Sequence, residues 1–287
     1  MEIIRLSKDN IEEYSGEIPE DIRENIGREN FGGMVAASYD TGEVLSAVVW
    51  KLKNLEDDLK DNESELLYFL LNDREAGSEL LAEYENFLRA YGIVRCTGFF
   101  AAEDIGEKTD VLKEAGYSTE EDVFPVMSTT IGELAELELI GKTGGASNVK
   151  PLGLITEKEF QRGLLRLLML QKREIVEDLI YLPFEWFDRR VSCCCMSDKK
   201  AGGFLLVHRV RAGCLRVEFL GVTGAGTQMD LLNMIRFAVS RGREEYDPET
   251  EVLLPVRDEA AGKLIGYFFP DKKGEACIRA QKEVTRR

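Results

Sequence analysis

The chain of 287 residues has a single histidine, His208, and no Cys-x-x-Cys pair among its six cysteines. A site built on two histidines is therefore excluded, and the cysteine spacing does not fit a zinc or redox motif. Three cysteines are adjacent at 193–195 in a β-branched context, which predicts small buried side chains of a strand. We expect His208 on a solvated or half-buried strand face, and we predict no metal site.

The sequence also lacks a long hydrophobic run. No window approaches the run of about 18 apolar residues that a membrane helix needs. The N-terminal MEIIRLSKDN has charges inside its apolar run, unlike a signal peptide. Since hydrophobic residues make up 44% and charged residues 31%, the chain can build a core and stay in solution. We predict a cytoplasmic protein with no membrane partner.

Positive charge is scarce, and it is unevenly distributed. The formal net charge of −16 argues against nucleic acid as a partner. Residues 1–140 hold 12 basic and 33 acidic residues, a balance of −21, whereas residues 141–287 have a balance of +5. An anionic ligand should therefore prefer the C-terminal half, and a cationic ligand the N-terminal half.

A segment rich in Gly, Ser and Asn at 141–148, GKTGGASN, is the best linker in the chain. The same succession of elements is predicted on either side of it, which gives domains 1–140 and 149–287. Each half begins with a strand and a mostly helical stretch. Two strands follow, then a third strand, a turn and a long helix. A strand, a short helix and a last strand close each half. The predicted class is α+β, with two tandem domains of mixed, mostly antiparallel sheet flanked by helices.

Three pairs of positions support the repeat. Helix-start residues Ser7 and Thr156 are 149 residues apart, and Thr156 has Glu159 three residues on, the pattern of a capping box. The leucine pairs that begin at Leu80 and Leu231 are 151 apart. Two Gly-Tyr pairs, at 116–117 and 266–267, are 150 apart. Such regular separations indicate two copies of one domain.

This order of elements resembles the GNAT superfamily of acyl-CoA N-acyltransferases over nearly the whole chain, twice. The family signature is Gln/Arg-x-x-Gly-x-Gly/Ala, two variable positions and a leucine pair on the helix. In the C-terminal half its three fixed positions are Thr223, Gly226 and Gln228. Backbone N–H groups of such a turn and helix start would hold the pyrophosphate of coenzyme A. The N-terminal turn NDREAGSE instead brings Asp73, Glu75 and Glu79 to that place.

The resemblance implies acetyl-CoA or another acyl-CoA as the bound substrate of the C-terminal half, because the N-terminal turn is acidic. The implied cofactor contacts are Leu220, Val222, Thr223, Gly224, Ala225, Gly226, Thr227 and Gln228. It also implies Glu218, on the strand before the turn, as a general base and Tyr267 as the acid that protonates the thiolate. Gly-Tyr at the end of that helix also matches a packing position of the family, so this role stays open.

The resulting hypothesis is an N-acetyltransferase with a small-molecule or peptide amine as acceptor, a cationic amine if the acidic half shapes the site. The alternative is a tandem binding or scaffold protein that has lost acyl transfer. A third reading, a nucleotide-binding protein that uses Gly221–Gly226 as its phosphate loop, lacks the Gly-Lys-Ser/Thr ending. The acceptor and the oligomeric state have no signal in the sequence.

Overall fold

A computed structural model of the chain describes residues 1–28, 30–53, 62–101, 106–120, 125–141, 148–171, 174–197, 200–223, 228–275 and 277–284. It forms two compact units, Met1–Pro125 with Glu275–Arg287, and Val126–Gly274. Each unit has one mixed sheet flanked by helices, so the predicted class of two tandem α+β domains is confirmed.

The first unit has a sheet in the order β1-β2-β3-β4-β5-β13-β6, in which only β4 and β5 are parallel neighbours. Its strands are β1 (Glu2–Arg5), β2 (Phe31–Ala37), β3 (Val44–Lys53), β4 (Glu63–Leu71), β5 (Arg95–Ala101), β6 (Ser118–Glu120) and β13 (Cys277–Glu283). Its helices are α1 (Glu20–Arg23), α2 (Arg74–Ala90) and α3 (Glu107–Glu114). The helical stretch expected after β1 is mostly turns, with a 3-10 turn at Ile11–Tyr14 and the short α1.

The second unit has the order β7-β12-β11-β10-β9-β8, and only β11 and β12 are parallel neighbours. Its strands are β7 (Val126–Thr130), β8 (Val149–Pro151), β9 (Cys193–Ser197), β10 (Lys200–Arg211), β11 (Cys214–Val222) and β12 (Glu251–Pro255). Its helices are α4 (Ile131–Glu136), α5 (Glu138–Gly141), α6 (Glu157–Gln171), α7 (Glu174–Ile180), α8 (Gln228–Glu245) and α9 (Glu259–Phe268).

The closing strands are exchanged between the two sheets, which changes the predicted boundaries of 1–140 and 149–287. The strand β7 pairs with β12 of the second unit, and β13 at the end of the chain pairs with β5 of the first. Either closing strand offers alternating apolar residues to a sheet edge, so the pattern alone does not specify which sheet it joins. The linker 141–148 falls within the span of the second unit, and its residues 142–147 lie outside the described residues.

Local predictions in the second half are mostly confirmed. The amide of Thr156 donates to the Glu159 carboxylate over 2.8 Å, and the Glu159 amide donates back to Oγ1 of Thr156 over 3.3 Å, so a capping box starts α6. The three adjacent cysteines are buried in β9. His208 lies on β10 as expected, but it is buried rather than half-exposed, because its ring stacks on Trp186 at a centroid distance of 3.9 Å.

A β-bulge occurs at the same place in each repeat. Trp50 pairs with Leu66 and Val49 with Tyr68, so Leu67 is the extra residue of β4. In the second unit Val207 pairs with Val217 and Leu206 with Phe219, so the extra residue of β11 is Glu218. The two bulge residues are 151 positions apart, the same separation as the leucine pairs. The backbone thus keeps the repeat register that the sequence indicates.

No helix in the described part of the chain is long and apolar enough to cross a membrane.

Candidate functional site

Strands β11 and β12 diverge in the middle of the second sheet. They pair only at Cys214–Glu251, Leu215–Val252 and Arg216–Leu253, although β11 continues to Val222. Among the described residues, the part of β11 beyond Arg216 therefore has no β12 partner on that edge. The two strands leave a gap that opens towards the turn before α8.

This gap leads into a cavity of about 830 Å³ between the sheet and the helices α8 and α9. Its size is in the range of small-molecule sites. The lining is mostly apolar and includes Val217, Leu220, Leu231, Leu232 and Leu264. None of the ten residues of α9 is buried, so this helix does not close on the sheet as a core helix would.

Three of the predicted cofactor residues, Leu220, Val222 and Gln228, line the cavity. Thr223 does not: it is buried, and its amide donates to the carbonyl of Gly202 over 2.6 Å. Residues Gly224, Ala225, Gly226 and Thr227 lie outside the described residues, so their predicted contacts remain untested.

One charge near this turn was not anticipated. Asp230 lies in the first turn of α8, where its Oδ1 accepts a hydrogen bond of 2.7 Å from Nδ2 of Asn148. The uncharged turn is thus followed at once by an acidic residue, which works against binding of an anion there.

Glu218 lines the cavity, but it is buried and bound to two arginines. Its Oε1 lies 2.6 Å from Nη2 of Arg216, and its Oε2 lies 3.4 Å from Nη2 of Arg257. Burial alone would raise the pKa of this carboxyl, but Arg216, Arg257 and His208 together outweigh it and hold the pKa below the ordinary value. The carboxylate is ionised at neutral pH and takes up a proton less readily than a free glutamate.

Tyr267 also lines the cavity, at the C-terminal end of α9. Its side chain is 67% exposed, and its ring makes an edge contact with Phe268 at 5.4 Å between centroids. The structure therefore brings Glu218 and Tyr267 to the same cavity, one buried and one open to solvent. Their catalytic roles remain predictions.

Similar solved structures match this chain over its length. A tandem GNAT protein from the clavulanic acid biosynthesis pathway has a TM-score of 0.68 at 13% identity, covering 100% of this chain and 99% of that one. The chain has the tandem GNAT fold. A GCN5-related N-acetyltransferase from Sphaerobacter thermophilus gives a TM-score of 0.54 at 13% identity, with 98% and 96% covered. One from Kribbella flavida gives 0.52 at 11%, with 83% and 86% covered. No family model and no curated protein matches the sequence.

The first unit has the same divergence of strands, but side chains fill the gap. Its β4 pairs with β5 only from Glu63 to Leu66 and continues to Leu71. Trp50 and Tyr84 lie on the α2 face with ring centroids 4.9 Å apart, and both are fully buried. The hydroxyl of Tyr84 lies 2.6 Å from Oγ of Ser64. A large hydrophobic and hydrogen-bonded core takes the space that is a cavity in the second unit.

The turn of the first unit is also occupied. The Asp73 side chain accepts a hydrogen bond of 2.8 Å from the amide of Ala76, so it caps α2 itself. The amides of Asn72 and Asp73 both donate to the carbonyl of Leu45. A phosphate would have to displace the carboxylate from the helix start. This geometry supports the sequence interpretation that an acyl-CoA site, if present, is in the second unit.

The two charged residues that bind Glu218 were also missed from the sequence. Arg216 lies two residues before Glu218, a spacing that often places strand side chains on one face, so it could have been found. Arg257 follows β12 and reaches Glu218 only through the fold. Nothing in the sequence connects these two positions.

Proposed function

We propose that the second unit is an acyl-CoA-dependent N-acyltransferase domain of a cytoplasmic protein. The observation that carries the proposal is the divergence of β11 from β12 beside an apolar cavity that ends at the N-terminus of α8. A strand, a small-residue turn and a helix start together form a site for a pyrophosphate, because the helix start offers free N–H groups. The similarity to solved N-acetyltransferases supports the fold on which this proposal rests.

In this proposal the start of α8 with Gln228 holds the anionic end of the thioester substrate. The edge of β11 that has no β12 partner offers backbone N–H and C=O groups to the extended, amide-containing arm of coenzyme A, in the way that a sheet edge binds a peptide. Acyl transfer then forms a C–N bond to the amine and breaks the C–S bond of the thioester. An amine that arrives as an ammonium loses two protons. One passes to solvent before the attack and the other is taken up by the departing thiolate, so the reaction balances without another reactant.

The residues predicted for proton transfer are Glu218 and Tyr267. Because its pKa is lowered and its charge is balanced by Arg216 and Arg257, Glu218 is poorly suited to accept a proton from the amine. Tyr267 carries a hydroxyl that can reach solvent, and a thiolate can be protonated there or by water. The acceptor that we propose is a small-molecule or peptide amine, cationic at neutral pH.

A non-catalytic tandem GNAT protein is the second candidate. The observation in its favour is the pair of ion contacts to Glu218, which leaves the predicted base held by two arginines. Such a protein would bind a coenzyme A thioester without transferring its acyl group. A thiol-release assay with a panel of amines separates this candidate from the enzyme.

Calorimetry with coenzyme A and acetyl-CoA tests the binding step. We expect binding that weakens about fivefold or more in Gln228→Glu, because a like charge near the phosphates costs on the order of 1 kcal/mol. The variant Gln228→Met is the control for size without charge. The variant Ser78→Glu puts the same charge near the N-terminal end of α2, in its second turn, and should leave the affinity unchanged. Absence of binding at millimolar ligand would refute the proposal.

A further inference from the structure

The cavity extends far beyond the turn before α8. It is lined both by Gln228, the first residue of α8, and by Gly242, fourteen residues later, which corresponds to about 21 Å along the helix axis. Along the sheet it is lined from Val222 at the end of β11 back to Leu215 near its start, about 23 Å away. The cavity therefore has a far end, distant from the place where phosphates would bind.

The two ends differ in chemistry. Among the described residues, the polar side chains of the lining are Gln228, Glu218 and a group that follows β12, namely Arg257, Asp258, Lys263 and Tyr267. The far end is lined by the buried apolar residues Ile131, Val191, Val207, Leu215 and Val252. Ile131 lies against Gly242, where an added Cβ would be 3.4 Å from its side chain, so these residues are at the C-terminal end of α8.

The first unit indicates how this far end could have been closed. The bulge register makes Val207 the counterpart of Trp50, because each pairs with the residue before the bulge. The leucine-pair register makes Ile235 the counterpart of Tyr84. The second unit thus has smaller side chains at two positions where the first unit has large rings, and the space between helix and sheet remains open.

We propose that the far end of the cavity holds the hydrocarbon chain of a medium- or long-chain acyl thioester, so that the acyl donor is a fatty acyl-CoA rather than acetyl-CoA. This rests on the proposed function, since the thioester enters at the turn before α8. An acetyl group would leave the far end unfilled. The amide-containing arm of coenzyme A would lose hydrogen bonds to water among these apolar side chains. An alkyl chain has no hydrogen bonds to lose, and its burial there is favourable.

Binding of a series of thioesters tests the proposal on the full chain. Coenzyme A, acetyl-CoA, octanoyl-CoA and dodecanoyl-CoA are titrated by calorimetry at the same salt concentration. Each buried methylene should tighten binding by about two- to fourfold. Octanoyl-CoA has six more methylenes than acetyl-CoA and should therefore bind at least about 60-fold more tightly. Equal affinities across the series would overturn this inference and leave the proposed function standing, whereas binding of none of them overturns the proposed function as well.

A cavity-filling variant tests where the chain lies. Val207→Phe with Ile235→Phe places two rings in the far end and should remove most of the dependence on chain length. The smaller change Ala238→Leu should remove part of it if the double variant fails to fold. Met169→Phe, at an exposed position of α6, is the control and should keep the full dependence. An unchanged preference for octanoyl-CoA in a folded double variant would also overturn the inference.

Discussion

The two units share a topology but differ in what lies between the sheet and the helix after the turn. Each has a parallel strand pair that diverges and a bulge in the strand before the turn. In the first unit Leu80, Leu81 and Tyr84 of α2 are fully buried. At the matching positions of α8, Leu231, Leu232 and Ile235 are only half-buried and line the cavity.

The short helix after the next strand repeats this difference. Tyr117, after α3, is 4% exposed, whereas its counterpart Tyr267 on α9 is 67% exposed. The same Gly-Tyr pair is thus a core residue in one unit and a surface residue in the other. Topology makes the gap between the strands in both units. In the first unit the rings of Trp50 and Tyr84 help to fill it, and the second unit has Val207 and Ile235 at those positions.

The units also differ in charge at equivalent places. The bulge residue is Leu67 in the first unit and Glu218 in the second, where two arginines bind it. The first unit instead has Asp73 at the helix start, where it satisfies the amide of Ala76. An anion is excluded from the turn of the first unit by its own cap. The charged side chain therefore lies at the helix start in the first unit and at the bulge in the second.

The largest difference is expected from truncating one leucine in each unit. Leu81→Ala should destabilise the first unit by about 2–5 kcal/mol, because it leaves a hole in a filled core. Leu232→Ala should cost the second unit only about 1 kcal/mol, because that side chain already borders a cavity. Hydrogen exchange of peptides from β3 and β10 reports the stability of each unit separately. Equal losses in the two units would contradict the contrast between core and cavity.

Glu218→Gln should destabilise the second unit by about 1–3 kcal/mol at pH 7, because charge-assisted hydrogen bonds to two arginines are weakened. The folded-state pKa lies below the unfolded value of about 4.3, so the stabilisation is present above that pH. It disappears as the pH falls through the folded-state pKa.

The measurement is hydrogen exchange or denaturant unfolding of both proteins between pH 7 and pH 3. The difference between wild type and Glu218→Gln should be constant down to about pH 5 and shrink below about pH 4.3. The variant Leu67→Gln at the matching bulge carries no titrating group and should show no such change with pH. A stability difference between wild type and Glu218→Gln that grows on acidification would contradict a lowered pKa of Glu218.

The smallest effects are expected at the helix caps. Asp73→Ala should cost the first unit about 1 kcal/mol, because the Ala76 amide loses its acceptor. Asp258 caps α9 in the same way, through the amide of Ala261 at 2.7 Å, but Asp258→Ala should cost less because α9 has no buried residue. We also expect that Asp73→Ala gains no affinity for coenzyme A, since Trp50 and Tyr84 still fill the space. The double variant Asp73→Ala with Gln228→Glu checks this. Measurable binding of coenzyme A to its first unit would show that the charge of Asp73 alone prevented binding there.

The sequence predicted the fold through features that depend on neighbouring residues along the chain. The capping box at Thr156, the buried cysteine strand and the leucine pair on each helix are local patterns with a direct physical cause. The burial of His208 was not predictable, because it depends on stacking against Trp186, which lies 22 residues away in the chain. The same is true of Arg257, whose contact with Glu218 joins the segment after β12 to β11.

The sequence by itself determined two repeats of one α+β domain, the place of the turn in each, and the acidic character of the first turn. Periodicity, turn residues and charge are properties of short segments, and they are preserved in any fold that the chain adopts. Only the tertiary structure decided that the closing strands are exchanged between sheets and that the space under α8 stays open. Both depend on contacts between side chains from distant segments of the chain. A local sequence pattern does not predict whether such contacts fill the space or leave a cavity.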